Sequence, residues 1–157
     1  MTVFDLEKEE QGDWFQYFDS TIDPGNGDII YEEPEKDAAE FRIRSMGPFW
    51  EERRKGKKRE YKMVLNTGSR AMERVGYYPD LPPEEDSKES DDAWDYAITE
   101  WQNAFSAPNK PMECNRENKL KMIKIPVFLR FITRVFQIMT ESGTKHKEAV
   151  EKNSSTG

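Results

Sequence analysis

The stretch DDAWDYAITEWQNAFSAPNKPMECNRENKLKMIKIPVFLRFITRVFQIM, residues 91–139, holds most of the chain's punctuation. Asp91 or Asp92 suits the N-cap of a helical stretch bearing Trp94, Ala97, Ile98 and Trp101, because a short acidic side chain accepts from the unpaired amides of a first turn. Residues 103–111, with Pro108, Asn109 and Pro111, read as a hairpin-style excursion or a loop. Asn115 caps a second helix through Leu120 and Ile123. Pro126 restarts a third, since its missing N–H costs nothing in a first turn. Phe128, Phe131, Ile132, Val135, Phe136 and Met139 give this third helix a broad apolar face, and Ser142-Gly143 ends it. Its phenylalanines point in different directions around the axis. The helix is therefore either sandwiched in a core or covered in part by a partner.

Upstream, residues 14–18 (WFQYF) and 28–32 (DIIYE) flank the Asp23-Pro24-Gly25-Asn26-Gly27 cluster, the pattern of a β-hairpin. Ala39, Phe41 and Ile43 alternate with Glu40, Arg42 and Arg44, a period of two that predicts a third strand with one buried face. Pro48 opens a helix that Gly56 interrupts. Tyr61, Val64, Leu65, Gly68, Ala71, Met72 and Val75 then fall on one helical stripe, with Gly76 as its stop. Residues 77–90, with Pro79, Pro82, Pro83 and many acids, read as an extended linker. Together these patterns predict an α+β fold. A small antiparallel β-sheet of about three N-terminal strands packs with three to four helices, and the C-terminal half is helical. Residues 1–143 are expected to form a single domain with an acidic, Pro-rich linker near 77–90, and residues 144–157 a disordered tail.

Composition bounds the function. A chain of 157 residues buries roughly 68–70% of its unfolded surface as one domain. Four Trp, six Tyr and nine Phe are far more aromatic content than a disordered chain holds. The net charge is −7 and it is segregated: residues 1–40 hold thirteen acids against Lys8 and Lys36, whereas residues 48–76 hold nine bases against four acids. An acidic chain is a poor general ligand for phosphates. The basic run Arg53, Arg54, Lys55, Lys57, Lys58 and Arg59 reads as an exposed helix face, a patch for an acidic partner, or a nucleic-acid patch. Acidic counterparts for it exist at 1–40 and 80–92, within the molecule or on a neighbouring copy, so a homo-oligomer stays open.

Catalytic and metal chemistry find little material. Cys114 is the sole cysteine and His146, in the expected tail, the sole histidine. A triad needs its base held against a nucleophile by packed structure. No EF-hand ladder or phosphate-cradling glycine loop is present. Carboxylate pairs such as Glu32/Glu33 and Glu84/Glu85 lie in strongly polar contexts and read as solvated surface. The expectation is a non-enzyme without cofactor or metal. The apolar-rich run Ile125–Met139 is too short and too interrupted by Arg130 and Arg134 to span a bilayer, and the N-terminus lacks a signal-peptide pattern, so a cytoplasmic protein is expected.

Residues 91–139 resemble the tail assembly chaperone-like proteins of long-tailed bacteriophages and prophages. The resemblance rests on Ala97-Ile98-Thr99-Glu100-Trp101, a polar turn, Pro111-Met112-Glu113-Cys114-Asn115, Arg116-Glu117-Asn118-Lys119-Leu120 and Ile125-Pro126-Val127-Phe128. Two departures stand out: Asn115 replaces the threonine common at that point, and Asn103-Ala104-Phe105-Ser106 lacks the usual glycine after the tryptophan. The resemblance implies a non-enzymatic protein of the infected host's cytoplasm that coats the tape measure protein, recruits tail tube protein, and is often also made in a longer frameshifted form. Read this way, Trp94, Trp101, Phe105, Phe128, Phe131 and Phe136 are the candidate partner-binding residues. The alternative is an acidic DNA mimic, using the carboxylates of 1–40 and 80–92 to inhibit a host defence or nucleic-acid-binding protein.

Overall fold

The computed structural model describes the backbone of residues 2–155 and the side chains of residues 2–142. In chain order the elements are α1 (Leu6–Gln11), β1 (Asp13–Gln16), β2 (Ser20–Ile22), β3 (Ile29–Tyr31), β4 (Glu40–Ile43), α2 (Gly47–Lys55), β5 (Glu60–Asn66) and β6 (Ala71–Tyr77). They continue with α3 (Pro83–Ala97), β7 (Ile98–Gln102), β8 (Phe105–Ala107), β9 (Lys110–Pro111), α4 (Arg116–Ile123) and α5 (Pro126–Ser155). This is an α+β protein with several small antiparallel sheets and a helical C-terminal region. The chain divides into two compact units, Met1–Ser45 with Trp94–Gly157 and Met46–Ala93, and α3 runs across the border. The tail expected at 144–157, with His146, lies outside the described side chains.

The first unit is built on β4. Phe41 and Ile43 are buried while Glu40 and Arg42 are partly open, the alternation that the sequence predicts. β4 is the middle strand of the sheet β1-β4-β7. Phe15 stands opposite Phe41 on one side and Trp101 opposite Phe41 on the other. The sheet's third strand thus comes from the C-terminal half, and not from the N-terminal strands alone. The expected pairing of 14–18 with 28–32 does not form. Asp23–Gly27 joins β2 to β3, with Ile22 opposite Ile29, while Trp14 and Phe15 turn to β4. Short arms beside the turn satisfy the hairpin, and the aromatics gain more by joining the core.

α5 lays its apolar stripe on this sheet. Phe128, Phe131, Ile132 and Val135 are fully enclosed with Phe41, Ile43 and Ile98. The rings meet edge to face: Phe41 on Phe128 at 5.0 Å, Phe18 on Phe131 at 5.0 Å and Tyr17 on Phe131 at 5.2 Å. Gly12 adopts φ 94, and a Cβ at that position would overlap the Ile43 carbonyl. Glycine is therefore required where α1 turns into the sheet. Lys119 reaches inward to the Asp95 carboxylate at 3.0 Å and the Asp95 carbonyl at 3.1 Å, which satisfies a nearly buried ammonium.

Three further expectations are corrected. The stretch 61–75 is no helix but the antiparallel ribbon β5–β6, with Tyr61 opposite Gly76 and Leu65 opposite Met72. Tyr61, Met63 and Leu65 also alternate, and Asn66 accepts from the Gly68 and Ser69 amides, which sets a turn that a helix would not permit. Residues 83–90 are helical, not extended linker: Pro83 occupies the first position of α3 and Glu84, Glu85 and Asp86 its first turn, where carboxylates complement the helix dipole. That helix stops at Ala97, so Ile98–Trp101 is strand, because Ile98 and Trp101 complete the sheet beside β4. Pro48 does open α2, and α5 starts at Pro126 as predicted, although its assigned helix runs beyond Ser142-Gly143.

Candidate partner-binding groove

Within the first unit the hairpin β8–β9 stands beside α4 and leaves an open groove with a volume of about 840 Å³. Each wall follows from local sequence. Asn103 and Asn109 take left-handed backbone, φ 57 and φ 59. Asparagine enters that region more readily than most residues, so Asn103 makes this turn without a glycine. The Trp101 indole N–H donates to the Met112 carbonyl at 2.8 Å and ties the hairpin's return strand to β7. The Asn115 side chain accepts from the Asn118 amide at 2.9 Å, fixing the start of α4.

The groove's inner surface is apolar: Phe41, Ala104, Met112 and Met122, with Tyr17 and Ile125 at its margins. Lys110, Glu113, Asn118 and Lys121 supply polar groups around it. Lys121 is held by Glu117 at 2.9 Å, a bond that also lowers the Glu117 pKa. Burial pushes the Cys114 thiol up, and the nearby Lys119 ammonium only partly opposes it. The Tyr17 phenol is likewise raised, first by burial and then by Asp19. An apolar floor with polar and charged groups around it, and adaptable methionines within it, suits an apolar polypeptide face.

The six aromatic candidates divide. Trp101, Phe128 and Phe131 are core residues and offer nothing to a partner, because β4 and α5 close over them. Trp94 and Phe136 are partly buried and stack on each other at 6.0 Å. Only Phe105, 52% exposed on β8, lines the groove. Beside it in the groove lie Met112, Met122 and Ile125, single apolar residues in or between short elements, which leave no periodicity in the sequence. In the basic run, Arg53 bonds Asp92 at 2.7 Å and Lys57 bonds Glu89 at 3.1 Å, so part of it is answered within the second unit. Arg59 lies over the Tyr78 ring at 5.5 Å. Arg54 and Lys55 end α2, where cations suit the dipole, and Lys58 follows.

A second, smaller pocket of about 280 Å³ is bordered by Asp19, Glu32, Glu33, Glu35 and Asp37. Among the described residues no group of His, Cys, Asp and Glu is placed to hold a metal ion, and no helix is long and apolar enough to cross a membrane. No family model, curated protein or solved structure matches the chain.

Proposed function

We propose that this chain is a non-enzymatic tail assembly chaperone of a long-tailed bacteriophage or prophage, binding tape measure protein, tail tube protein or both while tails are built in the host cytoplasm. One observation carries the reading. The segment whose residues resemble that family, residues 91–139, supplies most of the groove's lining, and Tyr17, Ala39 and Phe41 complete it. A tape measure protein is a long amphipathic helix whose stripe needs cover until the tube closes around it. Met112, Met122, Phe105 and Ile125 present an adaptable surface to such a stripe. The charge of −7 keeps the loaded complex dispersed. The DNA-mimic alternative is less well supported, since Glu89 and Asp92 are engaged by Lys57 and Arg53.

The test is co-expression with tape measure and tail tube proteins of a long-tailed bacteriophage. The tagged wild type is expected to retain one or both, and the double variant Phe105→Asp/Met122→Asp to lose them with its circular dichroism unchanged. Wild-type protein that retains neither would sink the reading.

A further inference from the structure

Two hairpins outside the groove are opposite in charge and alike in what they leave uncovered. On the β5–β6 ribbon, Tyr61, Met63 and Leu65 share one face with Met72 across the strand pair, and each is 54–57% exposed. A two-stranded ribbon with such a face is marginal in water. Arg74 shares that face, its guanidinium 4.1 Å from the Tyr61 ring centre, and the Arg59 side chain lies at its Gly76 end beside Tyr61. Tyrosine, methionine and arginine are the residues that protein interfaces enrich. The ribbon's own carboxylates are taken: the Tyr77 hydroxyl donates to Glu60 and the Asn66 amide to Glu73. Lys58, Arg59, Lys62, Arg70 and Arg74 have no ion pair among the described residues.

The β2–β3 hairpin is its complement. Ile22 and Ile29 face each other next to the turn and both are exposed, with Ile30 exposed on the reverse face. Residues 19–33 contain Asp19, Asp23, Asp28, Glu32 and Glu33 and no lysine or arginine. None of these five carboxylates has an ion pair among the described residues.

We propose that the β2–β3 hairpin of one copy docks, through Ile22, Ile29 and its acidic rim, on the Tyr61–Met72 face of the β5–β6 ribbon of a second copy. Nucleic acid is the poorer occupant, because phosphates would meet only Arg59 and Arg74, each lying against a tyrosine ring, on a face of tyrosine, leucine and two methionines. A second copy brings both the apolar counterpart and the matching sign of charge. Each copy offers both surfaces, so two copies join twice around a two-fold axis or add head to tail. Rim charges set the rate and salt dependence, and the apolar contact sets the strength. The inference stands whatever fills the groove.

Sedimentation velocity of the full 18.5 kDa chain tests it. The weight-average mass is expected to rise above the monomer with concentration, and to rise further at low salt. Met63→Glu/Leu65→Glu, Arg59→Glu/Arg74→Glu and Asp23→Lys/Asp28→Lys are each expected to weaken association by about tenfold or more, with circular dichroism unchanged. Mixing the last two variants is expected to restore it, because each then supplies the charge that the other lacks. A chain that stays monomeric at every concentration and salt overturns the proposal, as does association that none of the variants alters. Wild-type monomer that instead binds a short DNA duplex through Met63 and Leu65 would also overturn it and assign the ribbon to nucleic acid.

Discussion

At Cys114 the neighbours of the sulfur decide its chemistry. The thiol sits within 4.0 Å of the Thr99 carbonyl and half inside the protein, and burial holds its pKa above the ordinary value. The thiolate is the reactive form, so a raised pKa slows alkylation. Iodoacetamide at about pH 8 is expected to label the folded protein more slowly than the urea-unfolded chain, and the difference is expected to shrink as pH rises above the thiol's usual range. The sign for stability follows: a folded pKa above the unfolded one favours the fold fully below the unfolded value, and that contribution is lost as pH rises through the folded value. Equal labelling rates in the two states would contradict the burial that the structure gives this residue. Nothing in the sequence around Cys114 fixes its pKa, because Thr99 and Lys119 reach it only through the fold.

Among the elements, β4 and α5 hold the first unit together, and the groove hairpin adds little to stability. Phe131→Ala removes a fully enclosed ring that meets Tyr17, Phe18 and Phe41, and is expected to cost about 3–5 kcal/mol in urea unfolding. Phe105→Ala, on an exposed strand, is expected to cost under about 1 kcal/mol. Similar costs for the two would mean that the core and the groove wall have been wrongly assigned. The elements also differ in legibility. β4 and α5 each bury one face, so their periods of two and of 3.6 stand out in the sequence. β5–β6 buries neither face, so nothing forces its apolar residues into one period. Tyr61, Val64, Leu65 and Met72 fit a helical stripe as well as they fit a ribbon, and the Asn66 turn decides between them.

For the whole molecule, the two units differ in what holds them. The first has an enclosed aromatic core, whereas the ribbon of the second exposes apolar side chains on both faces. Hydrogen exchange in dilute, high-salt solution is expected to show β4 and the start of α5 protected and the β5–β6 amides exchanging far faster. Equal protection would mean that the ribbon is covered in the isolated chain. Local chemistry in the sequence determined the α+β class, the β4 alternation, the Asn115 cap, the Pro48 and Pro126 helix starts, and the segregation of charge. Each depends on a residue and its near neighbours. Only the tertiary structure decided which strands pair, that Trp101, Phe128 and Phe131 face inward, and that Met112, Met122 and Phe105 meet across a groove. Those outcomes depend on contacts between residues far apart in the chain, where burial energy selects among partners that local pattern leaves equivalent.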